Sequence, residues 1–186
     1  MTTSHLNTPP EMDMQEETRH FTTQLAIIGS GIAGFAAAIF AVNRKITTAQ
    51  LGNTGAVAYT TGYLDLLGKE DKAKTAVTDP WQALEELRKS QPNHPLSRVP
   101  VADIHRGFDE FTAFLGECGL AYSQPKESNI TALTPVGTLK QTLCVPATMA
   151  AGPRAFAEGK PCVIVDFIGL KGFSGRQVVA NLQDRW

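Results

Sequence analysis

Cysteine is scarce in this chain. Cys118, Cys144 and Cys162 are its three, and they stand far apart among 186 residues. No C-x-x-C occurs, which argues against an iron–sulfur cluster or structural zinc held by this chain alone. In a reducing compartment the three read as free, mostly buried thiols. Four histidines, His5, His20, His94 and His105, are equally scattered and form no ligand spacing. No apolar run approaches the length of a membrane span; the longest, around residues 32–42, reads as an amphipathic helix with small residues. Basic and acidic side chains nearly cancel, 17 against 18 for a net charge of −1, so there is no basic surplus to attract nucleic acid. The first twenty residues have neither the basic start nor the apolar middle of a secretory signal, which leads us to expect a cytoplasmic protein.

The chain is organised around residues 24–42, QLAIIGSGIAGFAAAIFAV. Leu25, Ala26, Ile27 and Ile28 have the length and character of a strand buried on both faces. The run stops at Gly29-Ser30-Gly31-Ile32-Ala33-Gly34, a G-x-G-x-x-G, after which Phe35, Ala36, Ile39 and Phe40 recur at helical spacing. Strand, glycine turn and helix is the order that a nucleotide phosphate site requires. The first glycine makes the turn, the second lets the backbone approach the phosphate, and the third lets helix and strand pack closely. The phosphate then rests on the free N–H groups and positive end of the helix.

Residues 1–21 are polar and without period, as in a flexible tail. The glycine-led helix should end near Asn43, Arg44 and Lys45, and residues 46–51, ITTAQL, suit a second strand. Many such units carry Asp or Glu at the end of that strand to hold the adenosine ribose. Here the position falls at about Gly52, beside Leu51 and Asn53, and no carboxylate is present. That absence argues against ordinary NAD or FAD binding and favours a shorter phosphate ligand such as FMN, or no ligand. The following stretch, GNTGAVAYTTGYLDLL, is rich in small and hydroxyl residues and reads as a ligand loop leading into a short strand at Tyr63 to Leu67. Asp79-Pro80 opens a helix with Trp81, Leu84 and Leu87 on one face, ending near Ser90. Val101, Ile104, Phe108, Phe111 and Leu115 define an amphipathic core helix closed by Gly119. His105 between them reads as a surface or partly buried residue. Short strands are expected at 120–122, 130–133 and 138–145. Residues 147–160 read as small and flexible, VIVDFIG at 163–169 as another buried strand, and Ser174 with Gln177 as the capped start of a last helix.

Four stretches carry a family resemblance. GSGIAGFAAAI, then a strand without the acid, then TTGYLDLL, resembles the N-terminal region of a subunit of anaerobic glycerol-3-phosphate dehydrogenase, the one to which FMN is assigned. TPVGTLK at 134–140 and VIVDFIGL at 163–170 agree with it. The resemblance covers residue 24 to the end, and family members are more than twice as long, so the chain is expected to be their N-terminal part. It implies a flavoprotein oxidising sn-glycerol 3-phosphate to dihydroxyacetone phosphate, with FMN on this subunit and FAD on a catalytic partner. An iron–sulfur subunit would dock the assembly at the membrane, and electrons would pass to a quinone and then to acceptors such as fumarate.

The expected fold is α/β: a Rossmann-like FAD/NAD(P)-binding βαβ unit with a small antiparallel and helical insert. Residues 22–70 and 161–186 would form the flavin-binding domain and 71–160 the insert. The expected cofactor contacts are Gly29, Ser30, Gly31, Ile32, Ala33, Gly34, Gly52, Asn53, Thr60, Thr61 and Gly62. No side chain is assigned as a catalytic acid or base, and none as a metal ligand. Two other readings remain open, a stand-alone FAD-dependent oxidoreductase and a non-catalytic Rossmann-like scaffold for partner subunits.

Overall fold

The computed structural model describes residues 20–53, 60–69, 76–123 and 127–186. The expected tail, apart from His20 and Phe21, lies outside them, as does part of the loop after the second strand. Strand β1 (Leu25–Ile28) runs into helix α1 (Ile32–Asn43), and the chain returns in strand β2 (Thr48–Leu51). β1 and β2 pair in parallel, Leu25 opposite Thr48 and Ile28 opposite Leu51, so the opening segment is a βαβ unit with α1 as its crossover. β2 begins two residues later than ITTAQL suggests. Just before it, Thr47 O accepts from Gln24 N and Leu25 N, while Thr47 N donates to the Gln24 side-chain Oε1 at 2.9 Å.

α2 (Pro80–Ser90) starts at an N-cap, Asp79, whose carboxylate accepts from Trp81 N and Gln82 N. Asp79→Ala should therefore cost about 1 kcal/mol of stability, readable as a lowered denaturant midpoint with an unchanged slope. α3 (Val101–Glu117) follows and ends, as expected, at a left-handed glycine, Gly119 with φ +83°. β3 (Ile130–Leu133) and β4 (Leu139–Thr142) form an antiparallel hairpin. Beyond β4 the chain leaves β3: Leu143, Cys144 and Val145 are buried, and Cys144 bridges to Leu64. Pairing is thus shorter than the 138–145 strand expected, and the strands expected at 63–67 and 120–122 reduce to single bridges, Leu64 to Cys144 and Tyr122 to Pro146.

The main core lies between α1, α3 and the 64–66 and 143–144 segments. Leu64, Phe111, Leu143 and Cys144 are buried there, packed by Ile39, Phe40, Phe108 and Leu115. Phe108, Phe111 and Leu115 of the α3 stripe thus belong to the core, as their spacing indicated, although Phe111 and Leu115 also line a cavity beside α1. At the surface the Arg44 guanidinium meets the Glu110 carboxylate at 3.0 Å and Asn43 Nδ2 donates to it at 2.7 Å, tying α1 to α3. The Arg44 and Asn43 hydrogen bonds hold the Glu110 carboxyl below its ordinary 4.5. A depressed carboxyl contributes stability that is complete above that ordinary value and fades as pH falls through the lowered one. In an acid titration followed by melting temperature, Glu110→Gln should flatten this limb, by a small and salt-sensitive amount because the pair is exposed.

Four expectations are corrected. β1 is not buried on both faces: its burial alternates and Ile28 is 89% exposed, because α1 covers one side of the two-stranded sheet only. Residues 163–169 form no strand and are largely exposed, Ile168 fully so; no described strand pairs with them, and apolar composition alone does not make a ladder. Residues 147–160 are not irregular: a short 3₁₀ turn leads into α4 (Ala151–Ala157), which packs on β3. Cys118 and Cys162 are exposed, and only Cys144 is buried. The last helix, α5 (Gly175–Leu182), is capped by Ser174, whose hydroxyl accepts from Gln177 N, and by Asp166, which accepts from Gly175 N at 2.7 Å. It packs on the β3–β4 turn, where Asn181 donates to Val136 O and a Cβ on Gly137 would stand 2.7 Å from the Val178 backbone.

Candidate functional site

Each glycine of the turn has a distinct local reason. Gly29 has φ +123°, a conformation closed to side-chain-bearing residues at low cost. It turns the chain away from β1 while its N–H donates to Leu51 O at 2.7 Å, keeping the turn tied to β2. Gly31 is the N-cap of α1 in an extended conformation, and a Cβ placed on it would meet nothing within 4 Å. Gly34 is the opposite case. Its Cβ would stand 2.3 Å from Gly29 O, so α1 can lie this close to the turn only without a side chain there.

No side chain caps α1, and its first turn carries no acid. The first helical bond runs from Phe35 N to Gly31 O, leaving the N–H groups of the preceding turn without intrahelical partners. Together with the open space over Gly31, this is a surface suited to an anionic group. The turn after β2 lies against one flank of it. Ser30 Oγ donates to Asn53 O, and a Cβ on Gly52 would be 2.9 Å from Ser30 N. Gly52 and Asn53 therefore close one side of the glycine turn while the Gly31 side stays open.

A cavity of about 410 Å³ adjoins the same helix. Ile32, the first residue of α1, lines it, with Phe35 and Ile39 above and Phe111, Phe114 and Tyr122 opposite. Thr60, Thr61 and Gly62 supply part of its wall. Gly62 has φ +71°, and its carbonyl accepts from the Tyr122 hydroxyl at 2.7 Å. Burial raises the Tyr122 phenol above its ordinary value, so it stays protonated and remains a donor. Among the described residues Tyr122 is the single ionisable side chain in the wall, which is otherwise apolar with threonine hydroxyls. A flat, largely neutral ring system suits such a space.

The eleven residues expected to contact a cofactor thus fall into two adjoining groups. Gly29, Ser30, Gly31, Ala33, Gly34, Gly52 and Asn53 surround the helix start; Thr60, Thr61 and Gly62 line the cavity; Ile32 belongs to both. Sequence reasoning missed Gln50. Its Nε2 donates to Gly29 O at 2.9 Å, so a carboxamide steadies the turn near the place where a ribose-binding acid was sought. Strand alternation was the available signal, since residue 50 shares a face with position 52. Phe35 and Phe114, 42% and 38% exposed, were also missed as cavity residues.

Residues 24–185 match the model of a family described as an FAD binding domain. The chain belongs to the FAD-binding domain family. Curated relatives of this flavoprotein domain include proteins named as a subunit of anaerobic glycerol-3-phosphate dehydrogenase. That of Vibrio cholerae serotype O1 (strain ATCC 39541) is 31% identical over 165 residues, covering 87% of this chain and 37% of the relative. Those of Yersinia enterocolitica and Yersinia pseudotuberculosis are 32% and 33% identical, covering 86% of this chain and 38% of each relative. The FAD-binding chain therefore spans little more than a third of the length of the relatives it matches. No solved structure matches it.

The family match bears out the α/β, Rossmann-like reading and a flavin as the cofactor class, and the family's description names FAD. The preference for FMN, drawn from the missing acid, receives no support from it. Among the described residues no helix is long and apolar enough to cross a membrane, and no cluster of side chains is arranged to hold a metal.

Proposed function

We propose that this FAD-binding chain serves a dehydrogenase that oxidises sn-glycerol 3-phosphate to dihydroxyacetone phosphate and passes the electrons to a quinone. The observation that carries the reading is the uncapped, acid-free start of α1 beside an apolar cavity, in a chain whose relatives are named as a dehydrogenase subunit. The residues fit a flavin. The N–H groups at the start of α1, with the turn 29–34, would hold its phosphates, and the cavity wall of Ile32, Thr60, Thr61 and Gly62 would flank its ring. When bound, a flavin accepts the two electrons of an alcohol oxidation and can release them singly, which is the task of a link between substrate and quinone.

FAD is the flavin proposed, since it is the one the family's description names. The relatives' name implies further subunits, and an FAD-containing catalytic partner with an iron–sulfur subunit that reaches the membrane would complete the electron path. Domain limits of 22–70 with 161–186, and 71–160 as insert, belong to the same proposal. Among the described residues the cavity wall offers no carboxylate, imidazole or amine to take the alcohol proton. This favours a second reading, in which the chain supports a partner that carries out substrate oxidation.

The test is to purify the chain, record its visible absorbance, and identify the ligand released on denaturation. A yellow protein releasing FAD supports the proposal. Release of FMN overturns the cofactor choice. A folded, colourless protein that does not take up added flavin overturns the flavin reading and leaves the supporting role.

A further inference from the structure

We propose that a second cleft, formed where residues 65–69 meet residues 134–141, binds the phosphate group of a small hydroxylated phosphate ester. Two sequence stretches that the flavin site leaves unexplained come together there, LDLL after Tyr63 and TPVGTLK. Lys140 Nζ lies 2.6 Å from Asp65 Oδ2 across the junction. The Tyr63 hydroxyl donates to Leu133 O at 2.8 Å, and a Cβ on Gly68 would stand 2.9 Å from Gln141 O, so the two segments are in close backbone contact. The cleft between them measures about 330 Å³ and is lined by Asp65, Lys69, Thr134, Thr138, Lys140 and Gln141, with Gly68 and Leu139.

Its walls are fixed. Lys69 bridges to Ala76, Val77 N donates to Gly68 O at 3.2 Å, and the buried Asn129 donates to both Leu67 O and Val77 O. On the other side the 134–138 turn is closed by Thr134 N to Thr138 O at 2.9 Å, with the two threonine hydroxyls 2.8 Å apart. Two ammonium groups against one carboxylate leave the described walls with a net positive charge, and the threonine hydroxyls add a neutral donor, while the Gln141 carboxamide already donates to Thr131 Oγ1 at 2.9 Å. That set suits a phosphate dianion at the Lys69 and threonine end. Asp65, already paired with Lys140, repels an anion and accepts from a hydroxyl, so the ester's alcohol groups belong at its end. The cavity beside α1 has, among the described residues, no charged side chain with which to neutralise a dianion. This assignment deepens the dehydrogenase reading by giving its phosphorylated substrate a place, but its test needs no flavin.

The full chain, labelled with ¹⁵N, is titrated with inorganic phosphate and then with sn-glycerol 3-phosphate at constant ionic strength. Saturable shifts of the Gly68, Lys69 and Thr138 amides are expected, with the ester binding more tightly than phosphate. Lys69→Met should weaken phosphate roughly tenfold, as loss of one charge-assisted contact does. Lys69→Arg should retain most of the affinity, and Gly31→Val should leave it unchanged. Unchanged affinity in Lys69→Met, or shifts confined to residues 30–34 and abolished by Gly31→Val, would overturn the site. Equal affinity for phosphate and ester would overturn the ester. Loss of flavin in Gly31→Val with phosphate binding kept separates the two sites, so either can fail without the other.

Discussion

Gly31→Val is expected to fold as the parent does and to lose its flavin. Residue 31 has φ −79° and ψ 177°, which valine adopts readily, and an added Cβ meets nothing within 4 Å. The structural cost is below about 1 kcal/mol, since no capping side chain is removed. The space that the Cβ and its methyls fill is the approach to the N–H groups at the start of α1. Two charge-assisted hydrogen bonds to phosphate, each worth about 1.5 kcal/mol or more, would be lost or lengthened. That sum corresponds to a fall in affinity on the order of 100-fold or greater. The ratio of flavin to protein absorbance after gel filtration reads the loss, while far-ultraviolet circular dichroism and the melting temperature report an intact fold. Flavin retained at the parent ratio would remove the phosphate from this turn.

Gly34→Ala should do the reverse, damaging the fold first. The same kind of added atom lands 2.3 Å from Gly29 O and 3.1 Å from Gly29 C, both backbone, with Gln50 Nε2 at 3.2 Å. Backbone atoms do not swing aside, so α1 has to move off the turn and loosen its packing on β1 and β2. Overpacking of this kind costs about 3 kcal/mol. The better helix propensity of alanine returns about 1 kcal/mol. A net loss of about 2 kcal/mol lowers the melting temperature by roughly 6 °C in a domain of this size. Flavin would be lost as well, because the shift moves the start of α1. A melting temperature equal to that of the parent would show that α1 does not pack as closely as described.

The contrast between residues 31 and 34 shows which part of the site a reader of the sequence could reach. G-x-G-x-x-G after a strand and before a helix identifies the turn and the helix start, because each glycine answers a local backbone demand. Local chemistry likewise made the Asp79 and Ser174 caps legible, and the 3-4 spacing of Val101, Ile104, Phe108, Phe111 and Leu115 marked the face of α3 from which Phe108, Phe111 and Leu115 reach the core. Buried strands were less legible. VIVDFIG has the composition of one, but a strand exists only with a partner in register, and residues 163–169 have none among the described residues. The same dependence explains β1: four apolar residues in a row look buried on both faces, yet Ile28 faces open space because α1 covers only one side.

By itself the sequence determined the βαβ unit, its glycine turn and the helix caps, since all of these follow from interactions among residues close along the chain; the flavin class of the ligand rests on the resemblance and the family match. The tertiary structure alone decided that Gly52 and Asn53 close over Ser30 and that Gln50 steadies Gly29. It also placed Phe35, Phe114 and Tyr122 around one cavity and Asp65 against Lys140. These contacts join residues twenty to more than eighty positions apart. No local pattern encodes them; they depend on how helices and strands come to rest against one another once the apolar faces are buried.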